Sequence, residues 1–371
     1  MDIERMANPG ALKTKVYVPG KSKREVEREL GLSHIIKMAS NENARGASNL
    51  AQDAYLKLAD QLHIYPDAIS RDLRQKLARK LGCESDQITV GNGADGVIYD
   101  LGMAVVGQED EVVIPEITFP LYETIVKVMR GRPVYTKMQG FRIDLKAILR
   151  AITPKTKVVF LCNPNNPTGD AQPREELLAF LEQVPKDVLV VIDEVYIDFT
   201  EPAADPKSVD LFNGGMDNLF ILRSFSKIYG LAGIRMGYGI GHADLIALIH
   251  RIKPPFNVSI IGEQVALNAL DDTKFLKETL AEILKEKAFY YRSLDELGVK
   301  YIQSHTNFIL IDTGMDATGI FEGLLKLGII TRACKSYGLP TCIRVTIGKH
   351  PENLLFLETF KELISRAREA Q

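Results

Sequence analysis

Cysteine is scarce in this chain, and no two of its cysteines are spaced to work together. Cys83, Cys162, Cys334 and Cys342 form no CxxC pair among 371 residues. That excludes a disulfide framework, a cysteine zinc site and a redox motif, and fits buried thiols in a reducing compartment. The histidines (His34, His63, His242, His250, His305, His350) show no HExxH or other ligand spacing, so no metal centre is expected. Neither sign of charge dominates. With 46 basic and 48 acidic residues the net charge is −2, which argues against a nucleic-acid partner. No apolar run approaches the roughly 18 to 20 residues of a membrane span, so no membrane partner is expected. The opening MDIERMANPG has no apolar core and no Arg/Ser-rich character, so neither a signal nor a transit peptide is visible and a cytoplasmic location is expected. No GxxxxGK[ST] occurs, which removes the P-loop hydrolases, and no repeat or low-complexity tract interrupts the chain.

What is present is the mixture of a globular protein, 46% hydrophobic and 25% charged, long enough for two or three domains at roughly 150 residues each. From about residue 86 to 240, short β-branched runs (QITV, EVVIP, RPVYT, TKVVFLC, DVLVVID, NLFIL, IRMGYGI) alternate with helical stretches. This alternation predicts an α/β domain of parallel strands and crossover helices, with ligands beyond the strands' carboxyl ends. After Pro254-Pro255 the pattern turns helical from about Ser259 to Leu297, followed by the strands VKYIQ, NFILID and CIRVTIG and a last helix from about Glu352. The expected organisation is a large domain over 45–255, a smaller α+β domain over 256–371, and an N-terminal segment, 1–44, that returns to the small domain. That segment is expected to hold one short helix, Ser22 to Leu30 stopped by Gly31, and a strand in IIKMAS.

The motifs sit just after the apolar runs. Gly91-Asn92-Gly93-Ala94-Asp95-Gly96 follows a strand, opens a helix and matches GxGxxG, with Glu116 some way on. It reads as a dinucleotide site, as another phosphate cradle at a helix N-terminus, or as a plain glycine turn. Asn163-Pro164-Asn165-Asn166-Pro167-Thr168-Gly169 follows KVVFLC. It is a rigid turn whose three amides would present donors at a strand's carboxyl end. Asp193-Glu194-Val195-Tyr196 follows the buried run VLVVI. The strand NLFIL leads into Arg223-Ser224-Phe225-Ser226-Lys227, with Arg235 eight residues beyond Lys227 in a glycine-rich turn. Most lysines coat surfaces, but this one closes a buried strand among small hydroxyls. Pyridoxal 5′-phosphate chemistry needs a lysine for the Schiff base, an acid for the pyridinium nitrogen, donors for the ring oxygen and a polar cup for the phosphate. All four kinds of residue are present.

With these motifs the chain resembles the fold-type I pyridoxal-phosphate aminotransferases, most closely the histidinol-phosphate aminotransferase family. The likeness runs from Tyr17-Val18-Pro19-Gly20-Lys21 through Ser40-Asn41-Glu42-Asn43, Tyr65-Pro66-Asp67, GNGAD, NPNNPTG, DEVY, SFSK and CIRVTIG. It implies a mostly parallel central sheet flanked by helices, plus a smaller α+β domain. It further implies that Lys227 carries the cofactor and shuttles protons, that Asp193 pairs with the pyridine nitrogen, and that Asn166 and Tyr196 hold the ring oxygen. By the same resemblance Phe119 stacks on the ring, while Ala94, Asp95, Ser224, Ser226 and Arg235 hold the phosphate. Tyr65 would reach the neighbouring subunit's phosphate in a homodimer. Arg344 and Arg332 would bind the substrate's anionic group, and Tyr17, Asn43 and Asn307 would line the mouth. Phe119 also reads as a core aromatic, the arginines as solvent-facing strand residues, and the mouth residues as caps or turns.

Two positions depart from the family. Ala44-Arg45 replaces the usual proline after Asn-Glu-Asn, and Gly96 replaces an acid after GNGAD. Arg45 is expected to bring an extra cation to the substrate entrance. The implied reaction transfers the amino group of histidinol phosphate to 2-oxoglutarate, forming glutamate, in histidine biosynthesis. An aromatic amino acid aminotransferase and a threonine-phosphate decarboxylase would use the same catalytic set. An NAD oxidoreductase built on GNGADG, or a non-catalytic binding protein that kept the pocket, are the readings of a different class.

Overall fold

The apolar runs between residues 88 and 241 form one seven-stranded sheet. A computed structural model describes residues 1–16 and 20–369. In chain order its strands are β1 (Ile36–Lys37), β2 (Ile88–Asn92), β3 (Glu111–Pro115), β4 (Arg132–Thr136), β5 (Met138–Gln139), β6 (Arg142–Ile143), β7 (Thr156–Cys162) and β8 (Leu189–Asp193). They continue with β9 (Leu219–Ser224), β10 (Met236–Gly241), β11 (Lys300–Tyr301), β12 (Phe308–Asp312), β13 (Ile329–Ile330), β14 (Arg332–Ala333) and β15 (Cys342–Thr346). The large sheet has the order β2-β10-β9-β8-β7-β3-β4.

Alternation along the strands explains why both faces are covered. Val158, Phe160 and Cys162 enter one apolar cluster with the helices Gly93–Val105, Leu121–Val128 and Ala243–Ile252. Val159 and Leu161, pointing the other way, join Leu73 and Leu77 of Arg71–Leu81 and Leu177 and Phe180 of Arg174–Leu181. Each such buried side chain contributes about 1.5–3 kcal/mol, and a strand apolar on both faces is what a helix-covered parallel sheet requires.

One strand departs from the expected direction. β10, the run IRMGYGI, is antiparallel to both β9 and β2. Residues 225–235 join β9 to β10 with only a 3-10 turn at Ala232–Ile234, and a parallel neighbour needs a longer crossover. The remaining pairs of this sheet are parallel.

The second sheet, β11-β12-β15-β14, is antiparallel and is joined by the helices Thr318–Lys326 and His350–Glu369. The N-terminal helix Lys23–Leu30 has a Ser22–Glu25 capping box and ends at Gly31 in the left-handed region. β1 then pairs with β13 in a separate two-stranded parallel sheet, so the segment near residue 36 meets the chain just before β14. The first dozen residues go elsewhere. They form the one-turn helices Ile3–Met6 and Pro9–Leu12, and Asn8 Nδ2 donates to Val128 O at 3.1 Å, which seats them on the large sheet's Leu121–Val128 helix. The helix Ile260–Ala269 likewise packs on Asn49–Leu56 and Arg71–Leu81, so packing with the large sheet continues past Pro254-Pro255. Among the described residues no helix is long and apolar enough to cross a membrane.

Candidate active site

β7, β8 and β9 are in step, with Cys162 opposite Asp193 and Asp193 opposite Leu222. The segments NPNNPTG, DEVY and SFSK therefore leave the sheet side by side at its carboxyl edge. β2, antiparallel to β10, runs in the same sense as β9, so the helix Gly93–Val105 begins at the same rim. Together they enclose a cavity of about 240 Å3 lined by Ala94, Asp95, Phe119, Asn166, Asp193, Tyr196, Ser224, Ser226, Lys227 and Arg235.

One end of this cavity suits an anion. The first turn of Gly93–Val105 has N–H groups without partners inside the helix, and Ser224, Ser226 and Arg235 also border the space. Arg235 meets Asp95 Oδ2 at 3.3 Å, and Ser226 N donates to Ser224 Oγ at 3.1 Å. Two glycines permit the close approach. Gly93 has φ +74°, and a Cβ there would lie 2.5 Å from Arg235 Nη2. A Cβ on Gly237 would lie 2.4 Å from Ala94 N. Elsewhere in the cavity Asp193 accepts from Val195 N at 3.0 Å and from the Tyr122 hydroxyl at 2.5 Å. Burial pushes its carboxyl up to about 6, against those two hydrogen bonds. Lys227 Nζ lies 3.4 Å from Ser40 O and 5.4 Å from the centre of the Tyr196 ring. Burial, and then the Arg344 guanidinium, bring its amine down to about 8.

The three amides of NPNNPTG separate. Asn163 Oδ1 accepts from Gln172 N, and Asn165 bonds Thr118, Ile117 O and Thr168. Those two hold the turn and the Thr118-Phe119 loop, and Asn166 alone of the three lines the cavity. Its Oδ1 accepts from Arg344, which also donates to Ala39 O at 2.7 Å. Arg344 is thus one layer behind the cavity wall. Arg332 is half-buried on the adjoining strand with its guanidinium 6.0 Å from the Tyr337 ring.

The mouth differs from expectation. Asn43 donates to Ile228 O and accepts from Arg45 N, so it ties backbone and does not line the cavity. Its neighbours Ser40 and Glu42 do. Asn307 donates to Asn41 O, and Asn41 in turn donates to the Tyr196 hydroxyl at 2.9 Å. Arg45 is not a spare cation: it pairs with Glu278 and Glu282 of the helix Thr273–Glu296 and lies over Phe275. Tyr65 is 77% exposed and stacks on Phe256, away from this chain's own cavity. Tyr17 lies outside the described residues. Glu116, the acid a dinucleotide site would use, pairs instead with Lys137.

The comparisons with known proteins agree with this geometry. The model for "Aminotransferase class I and II" matches residues 33–358. The chain belongs to the class I and II aminotransferases. It is 40% identical to a histidinol-phosphate aminotransferase of Moorella thermoacetica, over 95% of this chain and 92% of that one. It is 41% identical to a histidinol-phosphate aminotransferase of Geobacillus thermodenitrificans, over 94% and 95%. The crystal structure of histidinol-phosphate aminotransferase from Sinorhizobium meliloti, in complex with pyridoxal-5′-phosphate, superposes with a TM-score of 0.89 at 29% identity, covering 97% of this chain and 98% of that one. These relatives place the chain in the histidinol-phosphate aminotransferase family, whose enzymes depend on pyridoxal phosphate.

Within this aminotransferase, the sequence assigned no individual role to Tyr122 or to Ser40, Asn41 and Glu42, which stood only as part of the motif ending at Asn43. Tyr122 carries a readable signal, since it stands three residues after Phe119 at helical spacing. The segment 40–42 belongs to a motif of the family likeness, but nothing local selects which of its residues faces the cavity, because its neighbours at Thr346 and Tyr196 are distant in the chain.

Proposed function

We propose that this aminotransferase transfers the amino group of histidinol phosphate to 2-oxoglutarate, yielding glutamate, in histidine biosynthesis, with pyridoxal phosphate attached to Lys227. The observation that carries the reading is a single cavity lined at once by Lys227, Asp193 and the anion cradle of Ala94, Asp95, Ser224, Ser226 and Arg235. The residues fit the cofactor. The glycines that bring Arg235 against the helix start leave no room for other side chains there, and the donor set matches a phosphate.

Bound pyridoxal phosphate supplies an aldehyde that condenses with amines and a ring that accepts the electrons left when a proton leaves the neighbouring carbon. In this reading Lys227 anchors the cofactor, and its amine, once displaced by substrate, carries the proton from one carbon to the other. An amine near 8 is ready for both tasks. Asp193 keeps the ring nitrogen protonated, and Asn166 Nδ2 and the Tyr196 hydroxyl hold the ring oxygen. Phe119 covers the ring. Arg344 supports an anionic substrate. It is 5% exposed and donates to the neutral oxygens of Asn166 and Ala39, whereas buried charges are ordinarily paired with an opposite charge. Tyr65 stands beside Phe256 on an exposed face with Leu62 and Ile64, which supports a homodimer in which each copy completes the other's phosphate cradle.

The test is a panel of histidinol phosphate, phenylalanine, tyrosine and threonine phosphate, followed for amino transfer and for release of carbon dioxide. The reading expects amino transfer, fastest with histidinol phosphate. A preference for phenylalanine or tyrosine, or carbon dioxide from threonine phosphate, would overturn the substrate assignment.

A further inference from the structure

Tyr122 looks in sequence like one more core aromatic of the helix Leu121–Val128, and it is fully buried. Its ring stacks on Phe160 of β7, 4.5 Å apart and 6° from parallel, and meets Phe119 edge-on at 5.7 Å. Packing on two sides fixes where the hydroxyl can go. It donates to Asp193 Oδ2 at 2.5 Å, while Val195 N donates to Oδ1 at 3.0 Å. Each carboxylate oxygen therefore has its own donor, one from a helix and one from the turn after β8, and the carboxylate cannot rotate without breaking both.

The surroundings otherwise favour the neutral acid. Asp95, from the helix after β2, and Glu194, beside Asp193 in the chain, add negative charge, and burial acts in the same direction. Glu194 is itself held by Arg223. From β7, the Cys162 thiol is pushed up by burial and remains neutral. The phenol is also raised, first by burial and then by Asp193 itself, so it stays a donor at every working pH. Lys227 and Arg235 line the same cavity but hydrogen-bond elsewhere.

We propose that Tyr122 is a positioning residue whose hydroxyl keeps Asp193 ionised and fixed in rotation, so that the ring nitrogen of a cofactor bound here retains its proton. This rests on the reading that the cavity takes pyridoxal phosphate. Without the hydroxyl, the buried carboxylate competes for the shared proton, the ring becomes a weaker electron acceptor and proton removal from substrate slows. Substrate binding, which uses other groups, changes little.

The experiment loads wild-type protein and Tyr122→Phe with pyridoxal phosphate carrying 15N at the ring nitrogen and reads the nitrogen resonance at neutral pH, alongside kcat and KM. Phe keeps the stack on Phe160, so the hydroxyl alone is removed. The expected result is a protonated ring nitrogen in wild type and a shift toward the unprotonated value in Tyr122→Phe, with kcat lower by about ten- to a hundredfold, the scale of one hydrogen bond to a charged group, and KM nearly unchanged. In an Asp193→Asn background, Tyr122→Phe should leave the resonance where Asp193→Asn alone puts it. If Tyr122→Phe does not fold, 4-aminophenylalanine at position 122, a weaker donor of similar shape, is expected to move the resonance part of the way toward the unprotonated value. An unshifted resonance in Tyr122→Phe or in the aminophenylalanine protein, or an equal effect with and without Asp193, overturns the role. A wild-type protein that takes up no cofactor on Lys227 overturns the underlying reading as well, and is distinguished by the missing signal.

Discussion

Arg332 and Arg344 stand directly opposite each other across the β14–β15 pair, and opposed residues of an antiparallel pair project from the same face. The proposed function gives both arginines to the substrate, since a dianionic phosphate can use two guanidinium groups whereas a carboxylate is matched by one. At about 1.5–3 kcal/mol for a charge-assisted contact, Arg332→Ala is expected to lower kcat/KM for histidinol phosphate by about one to two orders of magnitude. Substrates offering only a carboxylate should be affected much less. Steady-state kinetics on both classes checks this, and equal small losses would assign Arg332 to the surface.

Lys227→Ala should abolish the borohydride-trapped cofactor adduct and leave the fold largely intact. The pH dependence follows from the sign of the shift. Only the unprotonated amine attacks an aldehyde, and burial brings this amine down to about 8. Capture of pyridoxal phosphate by the cofactor-free protein should therefore rise as pH increases toward about 8 and level off above it, well below the range of an exposed lysine. Stopped-flow absorbance at the cofactor's visible band measures the profile; a reduced adduct on a different lysine would sink the assignment.

Arg45→Ala tests the revised view of the mouth. Because Arg45 is held by Glu278 and Glu282 at partly exposed positions, its loss is expected to cost less than about 1 kcal/mol in denaturant unfolding. It should leave kcat/KM for histidinol phosphate unchanged. Combined with Arg332→Ala, the effects should add. A departure from additivity in the kinetics would return Arg45 to the substrate's path.

The dimer reading predicts that sedimentation finds two copies at assay concentration and that Tyr65→Phe releases cofactor faster than wild type. Its exposure in the single chain makes a folding defect unexpected. An active monomer with tightly held cofactor would contradict it.

Much of the large sheet could be read from the residues, because strands covered on both faces are apolar throughout and each functional side chain follows such a run. Direction was harder. IRMGYGI has the composition of its parallel neighbours, and only the missing crossover helix in residues 225–235 betrays its reversal. Lys227, Asp193 and Asn166 were legible because a lysine, an acid and an amide at the ends of buried strands require a reason. Asn43 was not, since the four residues Ser40-Asn41-Glu42-Asn43 are all polar and the choice of which face the cavity is made by Ile228 and Thr346. The counter-charges of Arg45 lie on a helix more than two hundred residues away, beyond any local pattern.

Asn41 joins three distant parts of the chain, donating to Tyr196 and exchanging hydrogen bonds with Thr346 on β15. Its partners are 155 and 305 residues away. During synthesis the seven-stranded sheet has all its strands once β10 has left the ribosome, and domains form as units while the chain grows. The clasp at Asn41 must wait for β15, near the carboxyl terminus. That clasp therefore belongs to the finished polypeptide, and a chain cut short before β15 would carry Lys227 on a formed sheet while Asn41 lacked its partner at Thr346.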